Sequence, residues 1–152
     1  MPGRAHTVGV APDRTPRQRV EAEAARRGRE RFAAGCVRLL RGDDADVPLI
    51  LQLGGRTAPW ALDPERDAAQ RYWFRVWAAR GLLWAWHDSA APALRQALRD
   101  EAWRVREMAA KVVARHLLGD LLADVAELRD DPVPRVRAAA TRAVDRITRA
   151  SA

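Results

Sequence analysis

The sequence of 152 residues holds one cysteine, Cys36, one lysine, Lys111, and three histidines. A single thiol excludes an intramolecular disulfide framework and a multi-cysteine zinc site, and it suits a reducing compartment. No hydrophobic run approaches the roughly 18 residues needed to span a bilayer, and the N-terminus has no apolar signal region, so a soluble cytoplasmic protein without membrane contact is expected. There is no glycine-rich phosphate loop and no Gly-x-Ser-x-Gly elbow. His6, His87 and His116 have no second histidine at ligand spacing, so no metal and no other cofactor is expected. Cys36 sits on an apolar helix face, where it reads as core rather than nucleophile. These absences leave a non-enzymatic protein of one domain, long enough to build an ordinary apolar core.

Arginine is what the chain has in quantity: 26 of its 27 basic residues are Arg, against 20 acids, for a net charge of +7. Residues 1–41 carry ten arginines against Asp13, Glu21, Glu23 and Glu30, a net of +6, while residues 42–152 hold 17 basic and 16 acidic groups. The excess of Arg over Lys fits bidentate phosphate or carboxylate recognition, but a GC-rich coding bias accounts for it more simply, because solvated positions show it too.

Residues 1–16 have three prolines, two glycines and no helical period, which predicts a disordered basic leader. From Arg17 the pattern is helical to Leu40, with Phe32, Ala33, Cys36, Val37 and Leu40 on one face and Gly42 as the stop. Asp46 and Pro48 start a short helix ended by Gly54-Gly55, and a loop is expected over 54–63. Asp63-Pro64 predicts the cap of one long helix to Trp86, weakened at Gly81. Ser89 is expected to cap the next helix. Further helices are expected over about 103–118, 119–129 and 131–147. No segment alternates as a strand does, so the fold class is all-α.

These helices repeat. A shift of 31 residues places Leu94 on Val125, Asp100 on Asp131, Arg104-Val105-Arg106 on Arg135-Val136-Arg137, Ala109 on Ala140 and Val113 on Val144; the opposite shift brings Phe74, Arg75, Ala78, Ala79 and Leu82 onto the same pattern. Ala33, Ala34, Val37 and Leu40 fit its second half weakly. Two helices per unit, an Asp at the turn and Val-Arg-x-x-Ala-Ala-x-x-Val resemble HEAT repeats of the short PBS-lyase HEAT-like form. The resemblance covers 64–148 well and 31–54 weakly. It implies a right-handed α-α superhelix, a solenoid of three to four helical hairpins within 17–148, with units near 17–54, 55–87, 88–118 and 119–148. It also implies that Asp100, Arg106, Asp131 and Arg137, with Arg75, tie neighbouring repeats together.

With those positions turned inward, each second helix keeps one exposed stripe. The stripes are Trp73, Trp77, Arg80 and Trp84; then Arg104, Met108, Lys111 and Arg115; then Arg135, Ala139, Arg142 and Arg146. The resemblance implies that they line a concave groove running from aromatic to basic, with an acidic outer ridge over 120–131. Two readings of the Trp stripe stay open: cover by the N-terminal helix or the Trp60 loop, or an aromatic anchor beside Arg80, Arg115 and Arg146. Trp86 and Trp103 are assigned to packing. The expected function is a scaffold or adaptor binding a protein or acidic peptide through the concave face. The alternative is nucleic-acid binding through Arg104, Lys111, Arg115, Arg135, Arg142 and Arg146, with the arginines of residues 1–41 as a flexible arm. A distant variant of it resembles the HEAT-like alkylpurine DNA glycosylases, through Trp84, Trp86 and Asp88. Self-association through the Trp stripe is a further possibility, so the oligomeric state stays open.

Overall fold

The computed structural model describes residues 13–66 and 68–152, so residues 1–12 of the expected leader lie outside the described residues. Thr15 and Pro16, also expected in the leader, begin the first helix instead. Thr15 accepts a hydrogen bond from the Gln18 amide (3.2 Å), and Gln18 Oε1 accepts one from the Thr15 amide (2.9 Å), a closed capping box at the start of α1 (Pro16–Arg27). The single helix expected to Leu40 is two helices. Gly28 adopts φ +90°, which glycine tolerates, and its amide closes α1 on the Ala24 carbonyl before α2 (Arg29–Leu40) begins in a new direction.

Asp46 caps α3 (Val47–Gly54) through the Leu49 amide (3.1 Å). The expected loop after it is helical: a 3₁₀ turn over Gly55–Thr57 runs into α4 (Ala58–Ala61). The long helix expected from Asp63 is also shorter. The Asp63 carboxylate accepts from the Glu65 amide (2.9 Å) and holds a local turn; a 3₁₀ turn over Ala68–Arg71 follows, and α5 spans only Tyr72–Trp84.

A 3₁₀ turn at Asp88–Ala90 precedes α6 (Ala91–Ala97); its cap is the His87 ring, which accepts the Ser89 amide, rather than Ser89 itself. Then come α7 (Trp103–His116), α8 (Leu122–Glu127) between two 3₁₀ turns, and α9 (Pro134–Ala150), which runs past the expected end at Ile147. No strand occurs among the described residues.

Helices α2, α5, α7 and α9 lie side by side in that order, α8 packs on α9, and α1 and α3 pack on each other and on α5. Helix α2 also touches α6 and the turn before it, so it borders both layers, and the hairpin pattern is regular only from α5 onward. One apolar core runs through all of them, from Phe32, Leu49 and Leu53 through Leu82, Leu94 and Val105 to Val136 and Ala140. Gly81, expected as a weak point, is a point of close approach. A Cβ there would stand 3.1 Å from Leu53 Cδ2 and Phe32 Cζ and 3.3 Å from Cys36 Sγ, so its bareness lets α2 and α3 reach α5.

Candidate functional site

The 31-residue period places one arginine per second helix against the aspartate of the next turn. Arg75 grips Asp100 with Nε and Nη2 (2.8 and 3.1 Å), and Arg106 grips Asp131 in the same way (2.8 and 3.2 Å). Each aspartate also accepts an amide two residues on, from Ala102 and Val133 (both 2.9 Å). Burial alone would raise the Asp131 carboxyl and is the largest single influence on it. The Arg106 fork, the Val133 amide and the charges of Arg106 and Arg137 together outweigh that influence and hold it below the usual range. These bonds fix successive second helices in register, and so fix the spacing of the side chains on their free face.

That face divides the tryptophans. Trp77 is buried at 6% exposure, its ring lying where a Cβ on Gly54 would meet it at 2.6 Å. Trp84 is half-buried and borders a pocket under α1 with Ala24, Ala25 and Gly28. Trp73 is half-buried and faces the other way, into an open cleft of about 600 Å³ that it shares with Arg56, Thr57, Trp60 and Trp77. The expected continuous stripe is thus two separate surfaces, and α1 and the Trp60 segment each cover part of it. Trp60 itself is 40% exposed, with the Arg66 guanidinium 3.9 Å from its ring centroid.

The cations differ as sharply. Arg104 lies over both Trp73 (5.4 Å) and Trp103 (4.4 Å), and Arg135 lies over the far side of this run at Trp103 (5.5 Å). Glu107, buried at 7%, pairs with Arg135 (2.8 Å) and Lys111 (3.4 Å). Arg80 is half-buried and donates to the Leu53 carbonyl (2.8 Å); burial, then the nearby Arg19, lowers its pKa. It caps the end of α3 instead of standing free in a groove. Arg115, Arg142 and Arg146 are exposed, as is Ala139's neighbour Ala138, whereas Ala139 turns into the core.

Residues 65–145 match the family model for HEAT repeats. The chain is a HEAT-repeat protein. No curated protein and no solved structure is significantly similar to it. In this HEAT-repeat chain the departures from periodicity mark what sequence reasoning missed. Glu107 stands where the 31-residue register has Val76 and Ala138, a substitution visible once the repeats are aligned. Trp103 shares its register with Tyr72, which signals a recurrent aromatic position. Trp60 lies in the 54–63 segment outside the register, where no periodic signal exists.

Some of the remaining charges are paired within the protein. The expected acidic ridge meets arginines of the previous unit: Arg95 and Arg99 reach Asp124 (3.2 and 3.7 Å), and Arg99 reaches Glu127 (3.7 Å). The expected flexible arginine arm is folded, since nine of the ten arginines of residues 1–41 lie on described residues, chiefly in α1 and α2. Arg27 there grips Asp46 (2.7 and 3.0 Å) and Glu23 (2.6 Å); its hydrogen bond to Asp46 leads the effects that hold that carboxyl low.

Catalytic chemistry finds few free groups. Asp88 accepts the Trp86 indole N–H (2.9 Å), His116 bonds the Leu82 carbonyl (2.9 Å) and stacks on Trp86, and burial pushes the Cys36 thiol well up. Among the described residues no group of three His, Cys, Asp or Glu is placed to hold a metal ion, and no helix is long and apolar enough to cross a membrane.

Proposed function

We propose that this HEAT-repeat protein is a non-catalytic scaffold that binds an acidic peptide of a partner protein on the face of its second helices. An apolar side chain of the peptide enters the cleft between Trp60, Trp73 and Trp77, and carboxylates follow along Arg104 and Arg115. The observation that carries this reading is the exposed cation–aromatic run from Trp60 and Trp73 through Arg104 and Trp103 to Arg135. An arginine stacked on a ring keeps its N–H edge free for a carboxylate while the ring supplies apolar area, the combination found at interface hot spots. Arg142 and Arg146 extend the basic strip.

The test is a titration, followed by tryptophan emission, with a 12-residue peptide of Asp and Glu around a central Phe. Its controls are the same peptide with Lys for every acid and a 20-nucleotide single-stranded DNA. Saturable binding of the acidic peptide is expected, tighter than that of the DNA and absent for the Lys peptide, and weakened about tenfold by Trp60→Ala or Arg104→Gln. Equal titration of wild type and both variants would refute it. The nucleic-acid reading is weaker because the Glu107 carboxylate, shared by Lys111 and Arg135, takes up part of the charge a phosphate backbone would need.

A further inference from the structure

The Arg–Asp ladder leaves one arginine fork open among the described residues. Arg75 meets Asp100 and Arg106 meets Asp131, each pair 25 residues apart. Arg137 is held as its predecessor is. Its Nη1 donates to the Asp131 carbonyl (2.7 Å), just as Arg106 Nη1 donates to the Asp100 carbonyl (2.8 Å). The Nε and Nη2 edge that in Arg106 grips a carboxylate has no partner here among the described residues. We propose that the free side of α9 is a second docking surface, for a segment of another protein that carries an aspartate at a helix start and sets its carboxylate in the open Arg137 fork.

Charge and shape select that occupant. Positions that face the next helix are Val76, Ala79 and Leu83 in α5 and Glu107, Ala110 and Ala114 in α7, all buried or half-buried. In α9 the same register holds Ala138, Thr141 and Asp145, all exposed. Stacking a further repeat of the same kind would bury the Asp145 carboxylate, so the surface is built for a polar contact. Arg142, Arg146 and Arg149 surround the single Asp145 beside Arg137, which favours an acidic partner and sets like charges against the same face of a second copy. The small Ala138 and Thr141 leave room for a backbone to approach the fork.

The probe is a labelled peptide with the sequence of residues 119–133, which is acidic and carries Asp131 in its native Asp-Asp-Pro context, read by fluorescence anisotropy against the full chain at low salt. Arg137→Gln should weaken binding about tenfold, the loss of one bidentate charge-assisted pair. The peptide bearing Asp131→Asn should lose the same factor with wild-type protein, and combining the two changes should add no further loss. Because the altered peptide leaves the protein untouched, a folding defect in the variant does not imitate this result. Absence of binding by wild type, additive losses, or an equal loss from Arg115→Gln on the neighbouring helix would overturn the proposal. Since Arg115 belongs to the second-helix face and Arg137 to the exposed side of α9, failure here leaves the Trp60 cleft unaffected.

Discussion

Asp131 shows how one carboxylate carries both register and pH response. It is almost buried, takes both arms of Arg106 and caps the Val133 amide. Replacing Arg106 with Gln leaves that charge with half its partners and should destabilise the fold by about 2 kcal/mol in urea unfolding. Because the folded Asp131 carboxyl titrates below its unfolded value, its contribution is present above the unfolded pKa and lost as pH falls through the folded one. Stability should therefore decline below about pH 4, and less steeply in Asp131→Asn, which starts lower at neutral pH. His116 acts in a separate window. Burial lowers its pKa, with Arg115 and Arg29 adding like-charge repulsion against the help of the Leu82 carbonyl. The unfolded chain thus binds the proton more readily, and stability should rise as pH climbs from below the lowered folded pKa to the unfolded value near 6.5. His116→Gln should flatten that slope while leaving the acid limb in place, and thermal melts across pH separate the two.

At the scale of elements the fold turns on bare contacts between helices. A methyl at Gly54 would stand 2.6 Å from the Trp77 ring and 2.8 Å from Ala58 Cβ, so Gly54→Ala should cost about 1–3 kcal/mol despite the better helix propensity of alanine, and should shift the emission of the buried Trp77. The same contacts explain what was legible in the sequence. The period of 31 exposed α5 through α9 because each second helix repeats one set of neighbours, so Val105 and Val136, or Ala109 and Ala140, answer one packing demand twice. The N-terminal third has no such redundancy. Its apolar spacing runs through Gly28, and only the positive φ there, which a helical wheel does not display, divides α1 from α2. The 54–63 segment reads as a loop from its glycines and proline, yet α3 continues into α4 because Trp77 and Ala58 pack against Gly54. The spacing of the arginines and tryptophans shows that each set shares a helix, but it does not show their partners. Glu107, the Leu53 carbonyl and the Trp60 segment come from elsewhere in the chain and decide which groups stay free.

At the scale of the whole molecule, the count of 27 basic residues overstates what an anionic partner would meet. Arg27, Arg75, Arg95 and Arg106 are spent on internal carboxylates, Arg80 on a carbonyl, and Lys111 and Arg135 on Glu107. Of the six groove cations expected to contact phosphates, Arg115, Arg142 and Arg146 carry no ion pair among the described residues, and Arg104 is held over two rings. A ligand that displaces counterions from three or four such groups should show a shallow dependence on salt. For single-stranded DNA the slope of log K against log salt is about −0.7 per phosphate neutralised, so it should stay near −2 to −3 instead of the steeper values of dedicated nucleic-acid binders. The acidic Phe peptide should retain measurable affinity at about 0.3 M salt, because its ring in the Trp60 cleft contributes a term that salt does not screen. Competition between the two ligands across a salt series decides the matter. If DNA displaces the peptide at every salt concentration with a slope of −6 or steeper, the cations now paired within the protein must open to phosphate, and the peptide-scaffold reading fails.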